Sequence, residues 1–356
     1  EKKRCAVQDV IKETPLVSKV SGKTIASISA SKSNQLQTPA ELQQTATVPS
    51  AISSGTPAYQ PAPRRLFKPT HALQSPFVND GKKQQFKCSK EVCEVYNAVI
   101  QFATKRTTRS SQSPQKKDQV ILDYSNYWVN LRDLSDSVMF GKELISSVAE
   151  AAICTLDDPS FQHNGKSKMK RIPKRVMPLR IASYLVNNDL NHHEVKRVFR
   201  RAENHLDRCH MIFFPVLQTL IPKGLSEGVG HYFLLVLNLR DQQFEVLDSM
   251  RTILDKDLKV CCDKMMDSIK ALWEIHYPNT RKKIQNYYIE DIKVPRQTNR
   301  VDCGFHMLMN VEQWDGRNIP SFDEADMPNI RKLMTYKWIT HELNDVRDWK
   351  EKLNLT

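Results

Sequence analysis

Four residues in the C-terminal half have the types and the order of a hydrolytic cysteine site. His231 opens an unbroken apolar run, Tyr-Phe-Leu-Leu-Val-Leu, and Asp248 lies in Leu247-Asp248-Ser249. Gln297 and Cys303 lie in Pro-Arg-Gln-Thr-Asn-Arg-Val-Asp-Cys-Gly at 295–304. A thiol can attack a carbonyl while an imidazole takes its proton. A carboxylate can fix that imidazole in one tautomer. A side-chain amide can donate to the developing oxyanion beside the nucleophile's own backbone N–H.

These residues need elements to bring them together. The polar Arg240-Asp241-Gln242 separates the run after His231 from Phe244-Glu245-Val246-Leu247, which predicts a β-hairpin turning near Asp241. Folding back there sets Asp248 within about two residues of the place opposite His231, within cross-strand reach. Phe305, His306, Met307, Leu308, Met309, Val311 and Trp314 predict a helix with Cys303 at its N-terminus. Unpaired amides and the helix dipole stabilise a thiolate there, and a nearby imidazolium lowers the thiol pKa further. Residues Tyr287 to Val294 read as a strand ended by Pro295, which leaves Gln297 in the loop before the helix. Taken singly, each residue has an ordinary explanation: polar strand ends, a solvated loop glutamine, a cysteine serving as a small buried hydrophobe. The combination favours the catalytic reading.

The pattern resembles the ubiquitin-like-protein-specific (SUMO) protease family, which is related to the adenovirus protease. Its marks are a His followed by an aromatic, an Asp about a strand later, and a Gln six positions before Asp-Cys-Gly; here these are His231-Tyr232, Asp248, and Gln297 before Asp302-Cys303-Gly304. The likeness extends over about residues 120–350. It implies an α+β, papain-like fold with a small mixed sheet surrounded by helices. It also implies cleavage after the C-terminal glycine of a ubiquitin-like modifier, SUMO first among them, with no metal or organic cofactor. Two departures mark a divergent member. Tyr232 stands where the family usually has Trp, and the family's early Trp-Leu-Asn-Asp-like element, part of a channel for a diglycine tail, is missing between Trp128 and Ser147. Tyr232 and Trp128 are the substrate-binding residues the resemblance implies, with a core role as the alternative for Trp128.

Composition sets the frame. The chain has 356 residues and a net charge of +13, carried almost wholly by residues 1–117, which hold 19 Lys/Arg against 7 Asp/Glu. Residues 1–83 are rich in Ser, Thr, Gln, Pro and Ala, a composition that buries too little apolar surface to offset the entropy of ordering. The expectation is a mostly disordered basic region, 1–117, with a helix at 86–104 and a linker at 105–117, followed by a catalytic domain at 118–356. Eight cysteines without Cys-x-x-Cys or disulfide spacing fit a reducing compartment and give no sign of structural zinc. No apolar run has the length of a membrane helix. The chain starts at Glu1 rather than Met, which fits a fragment and leaves a lost signal open.

Further elements follow from periodicity. Asp118 to Leu131 reads as extended. Helices are expected over Gly141–Leu156, His192–Leu206, Asp255–Trp273 and Pro328–Leu353, the last with Leu333 and Leu343 facing inward. Met211 to Leu217 reads as a strand, with Pro215 at its edge or end. The basic stretch Lys166–Arg180 fits an import signal, a phosphate contact or a solvated loop, and a nuclear location is the expectation, the cytoplasm second. The competing functions are a catalytically weak modifier binder and a nucleic-acid-associated adaptor using the basic tail for weak polyanion binding. The tail lacks interleaved aromatics and any DNA-reading motif, and a pure binder has no need of the thiol.

Overall fold

The computed structural model describes residues 86–104, 119–124, 127–157, 174–221, 228–319 and 321–355. The expected disordered tail, the linker and most of the 166–180 stretch lie outside them. The chain runs α1 (Lys90–Thr104), β1 (Val120–Tyr124), β2 (Tyr127–Asn130), α2 (Leu131–Val138), α3 (Ser146–Asp157), β3 (Lys174–Val176) and α4 (Leu179–Val186). It continues through α5 (His193–Phe199), α6 (Arg201–Asn204), β4 (Met211–Leu220), β5 (Val229–Asn238), β6 (Gln243–Leu247) and α7 (Lys256–His276). It ends with β7 (Ile289–Asp291), α8 (Cys303–Gln313), α9 (Met327–Thr340) and α10 (Trp349–Lys352).

A five-stranded sheet, ordered β3-β4-β5-β6-β7, forms the centre. Its inner pairs are antiparallel, and the outer pairs β3–β4 and β6–β7 are parallel. Alternation along β5 sends Tyr232, Leu234 and Val236 into one core with α1, α3, α8 and α9. Phe233, Leu235 and Leu237 go into a second core with α4, α5 and α7. Burial on both faces explains why the run after His231 is continuously apolar. Pro215 does not end its strand. β3 covers only Met211–Phe213 of β4, so Pro215 sits where that edge has no ladder partner among the described residues.

The helix expected at 86–104 forms and packs into the domain. Val92, Val95, Tyr96, Ala98 and Val99 on α1 are buried, and the Tyr96 hydroxyl donates to the Val138 carbonyl at 3.1 Å. Val95, Tyr96, Ala98 and Val99 belong to the core that also contains Cys303. A boundary at 118 therefore cuts through that core.

Other boundaries shift for identifiable reasons. α2 is amphipathic and starts where the Asn130 side chain accepts from the Asp133 N–H at 2.7 Å, a cap the sequence reading passed over. The single helix expected at 328–353 is two. Between them the buried Asn344 accepts from the Asp123 N–H and donates to the Ile121 and Ile339 carbonyls, fastening the segment to β1. Leu343 is exposed there and Leu333 half-buried, so neither is fully inward. The helix expected at 192–206 breaks at Arg200 into α5 and α6. The end of the basic stretch is β3 and the start of α4, whose Leu179 and Arg180 amides donate to Glu150 at 3.0 Å each.

Candidate active site

The hairpin sets the first half of the site. β5 and β6 pair with Leu234 opposite Leu247, so Asp248 falls opposite Phe233, two residues from His231. His231 Nε2 donates to Asp248 Oδ1 at 2.9 Å, with both side chains buried. Asp248 also accepts from the Met250 and Arg251 amides at 2.8 and 2.9 Å and from Arg251 Nε at 3.0 Å. Burial alone would raise this carboxyl. The hydrogen bond and charge of His231, then the charge and amide of Arg251, outweigh it and hold the pKa below the ordinary carboxylate value. Nε2 is committed to a carboxylate, so Nδ1 is the ring atom left for proton transfer.

The cysteine expected as nucleophile lies on α8, which packs against β5. Cys303 is the first helical residue, preceded by Asp302. The backbone amides of Tyr232, next in the chain to His231, and of Gly304 act on the Cys303 thiol and favour its thiolate. His231 and Asp248 therefore meet directly, and Cys303 opens the helix that packs on the strand carrying His231. The Gly304 amide supplies the stabilisation expected of a helix N-terminus and the Tyr232 amide of β5 adds to it, yet the thiol pKa is raised: burial dominates, and the charges of Glu143 and Asp248 add to it. The expected lowering is thus reversed by desolvation. Gly304 has a steric reason to be glycine. A Cβ there would lie 2.7 Å from Leu144 Cβ, so any side chain would push α8 off the segment before α3.

Gln297 sits in the loop before α8, beside the Asp248 loop. Its backbone N–H donates to the Ser249 carbonyl at 3.1 Å, and its side-chain oxygen accepts from the Ser249 hydroxyl at 2.5 Å. One amide hydrogen is directed at the Asn299 carbonyl, with Nε2 at 2.7 Å from it. The side chain thus braces the loop, with one amide hydrogen outside these bonds. Tyr232 is 4 % exposed, its ring in the core and its hydroxyl on the Leu144 carbonyl at 3.0 Å, so its side chain presents little surface to a substrate. Trp128 lies opposite Asp123 on the separate two-stranded sheet of β1 and β2 and is 39 % exposed, so it is not a core residue.

Four supporting residues escaped the sequence reading. Arg251 clamps Asp248 and packs over the Phe233 ring, 5.5 Å from its centroid. Arg296 donates to the Asp248, Met250 and Arg251 carbonyls, closing the loop that carries the acid. Asn299 accepts from the Val301 and Asp302 amides and shapes the turn into α8. Arg331 on α9 is wholly buried and paired with Asp302. Only its place on the buried stripe of α9, beside Ile330 and Met334, could have marked it in the sequence. Among the described residues no group of three or more His, Cys, Asp or Glu is placed to hold a metal ion, and no helix is long and apolar enough to cross a membrane.

Comparisons with known proteins bear on the family and the fold. The sequence profile described as "Ulp1 protease family, C-terminal catalytic domain" matches residues 150–343, a span containing His231, Asp248, Gln297 and Cys303. Ubiquitin-like-specific protease 1A of Arabidopsis thaliana is 26 % identical over 132 residues, 37 % of this chain and 24 % of the relative, so the match spans about a quarter of that protein's length. The Ulp1 protease domain solved in complex with Smt3, the yeast orthologue of SUMO, is 15 % identical with a TM-score of 0.52, covering 72 % of this chain and 97 % of the other. The SUMO protease Ulp1 with its catalytic cysteine oxidised to a sulfenic acid gives 13 % and 0.53, over 72 % and 98 %. The Chaetomium thermophilum Ulp1-like SUMO protease catalytic domain gives 16 % and 0.52, over 74 % and 94 %. At these identities the structural likeness establishes the fold, α+β and papain-like.

Proposed function

Because the chain belongs to the Ulp1 protease family, we propose that it is a cysteine peptidase cleaving after the C-terminal glycine of a ubiquitin-like modifier, with SUMO the first candidate. In this reading the Cys303 sulfur attacks the glycine carbonyl as its proton passes to His231 Nδ1. The tetrahedral oxyanion is met by the Cys303 backbone N–H and the second amide hydrogen of Gln297. His231 then protonates the leaving amine, the C–N bond breaks, and a thioester joins the modifier to Cys303. Water, deprotonated by the same imidazole, attacks the thioester and returns the thiol. Asp248 keeps Nε2 protonated and steadies the imidazolium throughout.

One observation carries the proposal: His231 Nε2 is held on Asp248 at 2.9 Å on the strand against which the helix that Cys303 opens is packed. Access supports the substrate class. Cys303 and His231 are each 3 % exposed, so a tail without side chains, such as paired glycines, reaches them more readily than a bulky segment. The basic N-terminal residues are assigned a localising role, through nuclear targeting or weak polyanion contact, outside the catalytic unit beginning near residue 86.

A panel of ubiquitin-like proteins bearing a C-terminal electrophile tests both chemistry and partner. The expected result is a covalent adduct with SUMO, mapped to Cys303. An adduct with none of the panel, or on another cysteine, would sink the reading.

A further inference from the structure

Arg331 spends all five of its N–H donors inside the protein. Nε and Nη2 reach Asp302 Oδ1 at 3.1 and 2.5 Å. Nη1 donates to the Ser137 and Met139 carbonyls, both at 3.0 Å, and Nη2 to the Lys142 carbonyl at 2.8 Å. The guanidinium lies over the Phe305 ring, 4.1 Å from its centroid. Asp302 Oδ2 accepts from Asn299 Nδ2 at 2.7 Å. The pair is almost wholly buried, side chains 0 % and 3 % exposed.

The placement of Asp302 gives this cluster a bearing on the chemistry. An aspartate before a helix commonly caps the amides of the first turn. Asp302 does not: its backbone is helical, φ −94° and ψ 0°, and its carboxylate makes no cap hydrogen bond. The amides that a cap would take are left for the sulfur and for an oxyanion. A buried carboxylate one residue from the thiol would nevertheless oppose thiolate formation through its field unless balanced.

We propose that Arg331 is a positioning residue: it draws the Asp302 carboxylate off the N-terminus of α8, cancels its charge beside Cys303, and ties that helix end to the 137–142 backbone leading to Leu144. Leu144 packs on Gly304 and accepts from the Tyr232 hydroxyl, so one guanidinium holds both the nucleophile's helix and the wall facing it. The other charged or titratable groups around the sulfur are His231 and Tyr232 on β5, Asp248 after β6, Glu143 before α3, and His306 on α8 itself. None of these pairs with Asp302 through a hydrogen bond among the described contacts; Arg331 and Asn299 do.

This inference rests on Cys303 as the nucleophile, and its test does not require turnover. The pH dependence of Cys303 alkylation by iodoacetamide, read on the Cys303 peptide by mass spectrometry, is compared in the full chain and in Arg331→Met, Asp302→Asn and the double variant. Arg331→Met is expected to move the midpoint up by about one pH unit, and Asp302→Asn to move it down by a similar amount. The double variant is expected to return close to the parent. Asp302→Asn keeps an acceptor for Arg331, so a folded arm is available even if Arg331→Met unfolds. Unmoved midpoints in the folded variants, with only lower melting temperatures, would reduce the pair to scaffolding and overturn the proposal. Retained turnover in Cys303→Ser together with shifted midpoints would remove the nucleophile assignment and leave the charge arrangement standing.

Discussion

The strand-borne and helix-borne halves of the site are held by contacts of different range. His231 and Asp248 are 17 residues apart and meet through the register of one hairpin. Cys303 depends on distant segments. Arg331, 29 residues beyond Asp302, bonds a carbonyl 194 residues before it, and Leu144 meets Tyr232 across 88. A local device places an acid–base pair once the turn forms. Aiming a helix N-terminus at that pair needs α1, α2 and α9 packed around it.

Damage to the two halves should therefore differ in kind. The largest effect is expected from removing α1. It buries Val92, Val95, Tyr96 and Val99, each contributing about 1.5–3 kcal/mol, against a typical domain stability of about 5–15 kcal/mol. A chain beginning at residue 118 should lack a cooperative thermal transition, whereas one beginning at 84 should melt like the full chain. Equal melting of the two would show that the helix-borne half does not need its distant support.

His231→Ala strikes the strand half and should lower turnover roughly 10²- to 10⁴-fold while shifting the melting temperature little. Asp248 keeps Arg251 and two backbone amides as partners, so its charge stays paired. Loss of folding in this variant would contradict the idea that the pair is a local device.

Gln297 joins the halves. Gln297→Ala should reduce kcat about a hundredfold with KM nearly unchanged, the loss of one oxyanion donor. Ser249→Ala removes the brace on Gln297 but no donor, and should cost far less. Equal losses would make Gln297 a loop brace only.

A further effect is on stability alone and concerns His306, one turn into α8. Burial, with a minor contribution from the charge of His231, lowers its pKa to about 4, although Asp302 and the Pro295 carbonyl pull the other way. The unfolded chain takes up this proton below pH 6.5 and the folded chain does not until about 4. Stability should therefore fall by roughly 3 kcal/mol as pH drops through that window. His306→Phe should flatten the urea midpoint over that range. Asp248, with its lowered pKa, acts only below the ordinary carboxylate range, so the two are separable.

How much could be read in advance follows the same division. The hairpin, its turn and the two-residue offset of Asp248 are written in two apolar runs and the polar Arg240-Asp241-Gln242 between them. The helix after Cys303 is legible from its own periodicity. The raised thiol pKa is not, because burial is a property of the assembled fold. Arg331 resembles any helical arginine until α9 is seen to turn it inward. Tyr232 has the family's aromatic position but points into the core, and Trp128 stands on another sheet. The expected boundary at 118 follows the polar stretch at 105–117, and composition does not report the core contacts that α1 makes before it.

The most direct test of the central claim is hydrolysis of a SUMO precursor by the full chain and by Cys303→Ser. The account predicts that the variant loses at least about 10³-fold in turnover while still binding the precursor. Turnover equal to that of the parent chain would contradict it.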